Sequence, residues 1–278
     1  MNVRIIFLFL FFLFPSVSIA QLDLEQEVLI IPDTHNEKPY GWNASVNPEG
    51  YELSLSSGSA RSGVESEFLF SVASKEGRDE QDVHVFVTDE DLRHYTHVRA
   101  VRKSDGAYAF RFNPPQPGKY RFEVVFRTGQ EWVNLRKDMR IKRGSWKTPA
   151  ALPGDEDYEI RMKLIPKTPY AEHVTTFLYE IRYKGEPVTN LDRVDGFDMQ
   201  VAAWDENLRE FIHAMPKQSL GGPEVAVSIV FMKTGKHKVF AEFSHLGATQ
   251  RIESVVRVYP EPGSERPPIL APDYWEKW

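Results

Sequence analysis

The stretch Asp198–Met215 reads DMQVAAWDENLREFIHAM, and a similar stretch occurs nearer the N-terminus. That stretch, Asp82–Arg99, reads DVHVFVTDEDLRHYTHVR and aligns without a gap. Each copy leads into a Gly-Lys turn and an aromatic strand, GKYRFEVVF from Gly118 and GKHKVFAEF from Gly235. Since self-similarity at a fixed spacing marks a duplicated structural unit, we predict two domains of one fold. Seven of the eighteen aligned pairs are identical: Asp82/Asp198, Val85/Val201, Asp89/Asp205, Glu90/Glu206, Leu92/Leu208, Arg93/Arg209 and His97/His213.

Apolar and polar residues alternate through and around both copies. Val83, Val85 and Val87 fall on one face of a predicted strand, and no stretch carries a convincing 3.6-residue apolar period. Short alternating runs that are bounded by turn residues, such as Asp105-Gly106, are typical of β-strands. We therefore predict an all-β chain with two tandem immunoglobulin-like β-sandwich domains after a signal peptide.

Clusters of proline, glycine and charged residues divide the chain into segments. Gly144, Pro149, Pro153 and Gly154 mark a linker, and five prolines interrupt the last nineteen residues. The predicted organisation is a signal peptide at 1–20, an N-terminal arm at 21–49, sandwich 1 at 50–143, a linker at 144–157, sandwich 2 at 158–259 and a proline- and aromatic-rich tail at 260–278.

The first twenty residues have the pattern of a secretory signal. Arg4 precedes an apolar run, Ile5–Phe14, that is too short to cross a bilayer, and Ser18-Ile19-Ala20 supplies small residues for cleavage. We therefore expect a periplasmic or secreted protein. No later segment reaches the roughly 18 apolar residues of a membrane span. Because the chain has no cysteine, its stability must come from buried cores and not from disulfides.

Composition also restricts the class of function. The formal net charge is −6 and no basic block is long enough for a nucleic-acid footprint. The sequence contains no Gly-x-Ser-x-Gly, no His-Glu-x-x-His, no cysteine nucleophile and no phosphate-binding loop. We therefore predict a protein that is not an enzyme; a hydrolase built from scattered carboxylates is the remaining catalytic alternative, and nothing in the pattern favours it.

The candidate ligand residues lie on the repeated strands. Side chains two apart on a strand face the same way, so His213 and Met215 share a face in the second copy, and His97 and Arg99 share the equivalent face in the first. His245 follows the second aromatic strand and can approach the same end of its sandwich. Two further residues occupy equivalent positions one strand earlier, His84 and Gln200.

These motifs resemble the YtkA-like/FixH-like group of secreted bacterial β-sandwich proteins. In that group a histidine-bearing strand precedes an Asp-Leu turn, a His-x-His-Pro motif, a Gly-Pro-Glu strand and a Pro-Gly-Lys-Tyr turn. The resemblance covers most of residues 50–258 and implies metal binding, with copper handling in the cell envelope, although many members have no assigned function. The matching residues are His84, Asp91-Leu92, His97 and Pro117–Tyr120 in the first copy, and His213, Pro216, Gly222–Glu224, Gly235-Lys236 and His245 in the second.

Both copies depart from the family motif. In the first, Arg99 replaces the second histidine, and its fixed positive charge is expected to repel a cation, so we expect that site to be lost. In the second, Gln200 replaces the strand histidine and Met215 the motif histidine. Because a thioether is a soft ligand that suits Cu(I), the predicted copper site is His213, Met215 and His245, with Gln200, His84 and His97 as weaker candidates.

Two interpretations without a metal stand beside this one. His213 can be a hydrogen-bonded histidine on a packed face, with Met215 filling a gap. The protein can also be an interaction or scaffold protein of the cell envelope that binds protein partners through its loops and through Tyr274, Trp275 and Trp278 of the tail. Those three aromatic side chains either dock on the body of the protein or contact a partner.

Overall fold

A computed structural model of the chain describes residues 46–58, 60–74, 80–129, 131–144 and 157–261. These residues all belong to one compact unit, Lys38–Trp278. The predicted signal peptide, nearly all of the predicted arm and linker, and the aromatic residues Tyr274, Trp275 and Trp278 lie outside the described residues.

The described residues of sandwich 1 form eight strands in two antiparallel sheets. One sheet has the order β1-β2-β6-β5 and the other the order β4-β3-β7-β8. Both sheets contribute side chains to a single core. The strands are β1 (Tyr51–Ser56), β2 (Ser66–Ser74), β3 (Gln81–Asp89), β4 (Tyr95–Arg99), β5 (Val101–Arg102), β6 (Tyr108–Phe112), β7 (Gly118–Thr128) and β8 (Glu131–Ile141).

Sandwich 2 repeats this arrangement. In one sheet β10 pairs with β9, β11 and β14, and the other sheet has the order β13-β12-β15-β16. The sheet β13-β12-β15-β16 therefore has the same strand order as β4-β3-β7-β8 of sandwich 1. We call these two the repeated sheets, because they contain the two copies of the repeated sequence. The strands are β9 (Tyr158–Ile165), β10 (Val174–Tyr183), β11 (Glu186–Pro187), β12 (Gln200–Asp205), β13 (Phe211–Ala214), β14 (Glu224–Val230), β15 (Gly235–His245) and β16 (Ala248–Val258).

The alternation in the sequence predicted the buried faces correctly. Val83, Val85 and Val87 all lie in the core of sandwich 1, and Met199 and Val201 lie in the core of sandwich 2. The all-β fold with two tandem immunoglobulin-like sandwiches is confirmed. Within the described ranges, no helix has the length and apolar character needed to cross a membrane.

A shared turn explains several of the residues that both copies keep. Asp205 Oδ1 accepts hydrogen bonds from the backbone N–H groups of Arg209 and Glu210, the second at 2.7 Å. Asp89 Oδ1 accepts from the corresponding N–H groups of residues 93 and 94. Leu92 and Leu208 both have φ 56°, so each turn places a leucine in the left-handed region that non-glycine residues rarely adopt. These aspartates therefore stabilise the turns of the β3–β4 and β12–β13 hairpins.

The repeated sheets pack against each other across the boundary between the sandwiches. Phe86 and Tyr95 of sandwich 1 and Trp204, Phe211 and Phe240 of sandwich 2 are all buried in one apolar cluster. Tyr95 stacks on Phe240 with ring centroids 4.5 Å apart, and Phe86 lies 5.3 Å from Phe211. We call this contact the sandwich interface; it means that both faces of the repeated strands are buried.

Two arginines of sandwich 1 donate hydrogen bonds to the turn that follows β12 in sandwich 2. Arg121 Nη1 donates to the carbonyl oxygen of Leu208. Arg136 Nη1 donates to the carbonyl oxygen of Arg209 at 3.4 Å. The turn at the end of β12 is therefore held both by its own aspartate and by the neighbouring sandwich.

Replacing Asp205 tests the contribution of the turn. We expect Asp205→Ala to lower the free energy of unfolding by about 1–3 kcal/mol, because two backbone N–H groups lose the carboxylate of Asp205, which is itself buried. Urea-induced unfolding measures this change. The control is Asn207→Ala, at an exposed position of the same turn, which should stay within about 0.5 kcal/mol of the parent. Equal effects of the two substitutions would contradict the proposed role of Asp205.

Candidate metal centre at the sandwich interface

Two histidines of sandwich 1 meet at the sandwich interface. β3 and β4 are paired so that Phe86 lies opposite His97 and His84 lies opposite Arg99. His84 has the opposite parity to Val83 and Val85, so its side chain points away from the core of its own sandwich. His84 Nδ1 lies 3.0 Å from His97 Nε2, and the two side chains are 3% and 6% exposed.

Sandwich 2 contributes a carboxylate to this pair. Asp195 lies in the loop before β12, and its Oδ2 is 3.7 Å from His84 Nδ1. One donor atom from each of His84, His97 and Asp195 lies within 4.8 Å of the others. Ligand atoms in a tetrahedral zinc site are roughly 3.3 Å apart, so the measured separations of 3.0 and 3.7 Å are close to that spacing. We call these three residues the interface triad.

Glu242 orients the His97 ring through Nδ1, the ring nitrogen that does not face His84. Its Oε2 lies 3.3 Å from His97 Nδ1 and accepts a hydrogen bond from Tyr95 Oη at 3.3 Å, while Oε1 accepts from Arg251. Because an ionised carboxylate only accepts hydrogen bonds, the network assigns the His97 proton to Nδ1. The lone pair of His97 Nε2 is then directed toward His84. A carboxylate behind the far nitrogen of a ligating histidine is a recurrent feature of protein metal sites.

Burial keeps His84 and His213 at the sandwich interface neutral. Burial is the main cause that lowers the pKa of His84 to about 4, followed by the nearby His97; Asp195 acts in the opposite direction. Burial likewise lowers the pKa of His213 well below its usual range, with His84 and His97 as further causes. Since only the neutral imidazole ligates a metal, these rings do not have to lose a charge to bind one near neutral pH.

The second copy forms the equivalent pair with glutamine in place of histidine. Gln200 Oε1 lies 2.6 Å from His213 Nε2, as His84 lies against His97. The Gln200 amide nitrogen donates to the carbonyl oxygen of Val194 at 3.4 Å, which directs the amide oxygen to His213. The ring centroids of His84 and His213 are 5.7 Å apart. The two equivalent polar pairs therefore meet at the sandwich interface.

The structure does not bring together the copper ligands predicted from the second copy. His213 is paired in the ladder with Ala202, which belongs to the sandwich interface. His245 shares the parity of Phe243, which belongs to the core of sandwich 2. The two side chains therefore leave opposite faces of one sheet. Assigning both to a single site was wrong, because the sequence does not show that β15 continues as a strand to His245.

His245 has a local structural role. Its Nδ1 lies 2.7 Å from Tyr158 Oη, and its Nε2 lies 3.3 Å from Asn190 Oδ1. It is 4% exposed. Met215, the other predicted ligand, follows the last residue of β13 and is half-buried. The copper ligand set His213, Met215 and His245 therefore does not form a common site in this structure.

The fold pairs the weaker candidates His84 and His97 and also pairs Gln200 with His213, but it brings a carboxylate only to the first pair. That carboxylate belongs to Asp195, the residue that sequence reasoning missed. The expectation that the first site is lost rested on Arg99. In the structure Arg99 Nη1 donates to Asp195 Oδ1 at 2.9 Å, so its charge is paired with a carboxylate of the other sandwich. Nothing in the sequence around Asp195-Gly196 marks a ligand, because only the packing of the sandwiches places this loop beside β3.

Comparisons with known proteins identify one family match. A domain of unknown function, DUF8832, matches residues 154–260, which contain the whole of sandwich 2. No curated protein matches the chain. The resemblance to the YtkA-like/FixH-like group stays a prediction.

Solved structures give similarities over most of the chain. The chain is 14% identical to the Escherichia coli adhesin FdeC. The match covers 79% of this chain and 66% of the FdeC chain, with a TM-score of 0.25. For Salmonella alpha-2-macroglobulin the identity is 17%, the coverages are 80% and 16%, and the TM-score is 0.27. For the D0-D1 domain of intimin the identity is 12%, the match covers 74% of this chain and 97% of that chain, and the TM-score is 0.25. These TM-scores are all below 0.5, so the similarities carry no functional assignment.

The lowered histidine pKa values predict that acid destabilises the protein. Between pH 6.5 and about 4, an unfolded chain binds a proton at His84 that the folded chain does not. The free energy of unfolding should therefore fall as the pH falls through this window, by up to about 1.4 kcal/mol per pH unit for each such histidine. Above pH 6.5 this contribution should vanish.

Urea titrations at several pH values measure this slope. His84→Gln should reduce it, because glutamine does not titrate and already fills the equivalent position, Gln200, in sandwich 2. His173→Gln at an exposed position serves as the control and should leave the slope unchanged. A slope that is the same in the parent and in His84→Gln would rule out His84 as its source.

Proposed function

We propose that this protein is an exported, non-catalytic binding protein that holds a copper ion, or a comparable transition-metal ion, between its two sandwiches. The observation that carries the proposal is the interface triad, in which two imidazoles with side chains 3% and 6% exposed and one carboxylate have donor atoms within 4.8 Å of one another. The triad draws on both sandwiches, so a bound cation would connect them.

The donor set favours a divalent ion. Imidazole nitrogen suits zinc, copper and nickel, whereas the thioether of methionine suits Cu(I). Two imidazoles and a carboxylate therefore support Cu(II) or Zn(II) binding at the interface triad, and Cu(II) should bind more tightly than Zn(II), following the usual order of divalent metals. A copper role also agrees with the resemblance of the repeat to the YtkA-like/FixH-like group.

The surroundings of the interface triad support binding and not catalysis. Phe86 stacks on the His97 ring with centroids 4.3 Å apart, and Glu242 is held by Tyr95 and Arg251. Each group near the histidines is thus already engaged in packing or in a hydrogen bond. Such an arrangement positions ligands, and it presents no free base or nucleophile among the residues named here.

A cell-envelope interaction or scaffold protein is the second candidate function. Its support is a set of connected loops at one end of sandwich 2, where Leu191 N donates to Gly221 O at 2.9 Å and Gly247 N donates to Asp192 Oδ2 at 2.8 Å. These loops carry two exposed leucines, Leu220 and Leu246, at 75% and 65% exposure. Exposed loops on a rigid scaffold are common sites of protein recognition.

A metal titration tests the first proposal. We expect the chain without its predicted signal peptide to bind one Cu(II), and more weakly one Zn(II), in competition with a chelator of known affinity. His84→Gln and His97→Gln should each weaken binding by roughly tenfold or more, because each removes a nitrogen ligand. The tautomer-fixing residue Glu242 should matter as well, so that Glu242→Gln weakens binding by about tenfold.

Met215→Leu is the matched control, since it keeps a similar volume at a half-buried position and removes only the thioether. It should bind Cu(II) as the parent does. Loss of binding in Met215→Leu with full binding in His84→Gln would instead support the ligands predicted from the second copy. Absence of Cu(II) and Zn(II) binding in the parent would reject the metal proposal and favour the scaffold function.

A further inference from the structure

We propose that Arg99 is a built-in competitor of the metal ion: its guanidinium occupies the Asp195 carboxylate when no cation is bound and so lowers the affinity of the interface triad. This inference rests on the proposed metal-binding function. It assigns to Arg99 the role of setting the metal concentration at which the site fills.

The geometry places the guanidinium on the ligand that sandwich 2 supplies. Arg99 Nη1 lies 2.9 Å from Asp195 Oδ1, while Asp195 Oδ2 lies 3.7 Å from His84 Nδ1. The two oxygens of one carboxylate thus face an arginine on one side and a histidine on the other. Because Arg99 also lies directly opposite His84 in the β3–β4 ladder, its fixed charge sits beside the position that a cation would take. Like charges this close repel, so the guanidinium and a metal ion compete for Asp195.

Arg99 has another partner to which it can move. Its Nη2 lies 3.3 Å from Asp82 Oδ1, on its own sandwich. The Arg99 and Asp82 side chains are 57% and 40% exposed, whereas Asp195 is 21% exposed. An ion pair with an exposed arginine contributes little to stability, so a divalent ion can displace the guanidinium from Asp195 while Asp82 retains it. The competition is therefore reversible and requires no change in the strands.

The comparison of the two copies supports this role. The residue equivalent to Arg99 in the second copy is Met215, and the residue equivalent to His84 is Gln200. The positive charge is thus present at the pair that has two histidines and absent at the pair that has one. Of the two copies, only the first has a His-His pair. A positive charge there can oppose the binding of a cation, an effect that it would not have beside Gln200.

A contrasting role for Arg99 predicts the opposite result. If Arg99 mainly orients Asp195 toward His84, removing the guanidinium loosens a ligand and weakens metal binding. If it competes with the metal, removing it frees the carboxylate and strengthens binding. The sign of the change in affinity therefore distinguishes a positioning residue from a competitor.

The test measures Zn(II) and Cu(II) affinity in Arg99→Gln by chelator competition. Glutamine keeps a polar side chain but removes the positive charge. We expect at least about tenfold tighter binding. Arg111→Gln is the control, because Arg111 is an exposed arginine of the same sandwich and its loss changes the net charge equally; its affinity should stay within about twofold of the parent. Thermal unfolding of each variant confirms that it is folded.

A double-mutant cycle ties the effect to Asp195. In an Asp195→Asn background, Arg99→Gln should give a much smaller gain, since the carboxylate for which it competes is gone. Unchanged or weaker binding in Arg99→Gln, with a parent that binds, would overturn the role of Arg99 and leave the metal site standing. Binding by Arg99→Gln alone would support the competition, and absence of binding in both proteins would overturn both proposals.

Discussion

Burial on both faces is the constraint on which the rest of this structure depends. Along β3, Val85 enters the core of its own sandwich while Phe86 enters the sandwich interface. A strand buried on both sides has no solvated face to which polar side chains can turn, and a buried polar group without a partner is costly. His84 and Gln200 therefore each occur with a histidine partner on the neighbouring strand.

The same constraint governs the charges near the sandwich interface. Glu242 is buried and contacts Arg251, Tyr95 and His97, and Asp195 contacts Arg99 and His84. Each carboxylate thus faces a histidine on one side and an arginine on the other. His84 stays neutral because burial disfavours its charged form more than the Asp195 carboxylate favours it. With His84 neutral and Asp195 paired to Arg99, a cation at Asp195 would compete with an arginine.

The two copies of the repeat share one backbone geometry but differ in some of their side chains. The pairs His84–His97 and Gln200–His213 are built at the same positions of equivalent ladders, yet only the first has two imidazoles. The turns that end β3 and β12 keep the same aspartate and the same leucine with positive φ, because these residues set the backbone of the hairpin. These turn residues and the histidines His97 and His213 are therefore identical, whereas the residue that faces each histidine, His84 or Gln200, differs between the copies.

The sequence by itself determined the all-β class, the duplication and the faces of the strands, because the period-two alternation and the repeat are local patterns that each strand carries in its own residues. It also identified His84 and His97 as candidates, since their spacing follows from one hairpin. Only the tertiary structure decided that Asp195 joins them, that Arg99 lies on its carboxylate, and that His213 and His245 diverge. Those relations depend on how one sandwich packs on the other and on where β15 ends, and neither is encoded in the spacing of residues along a single strand.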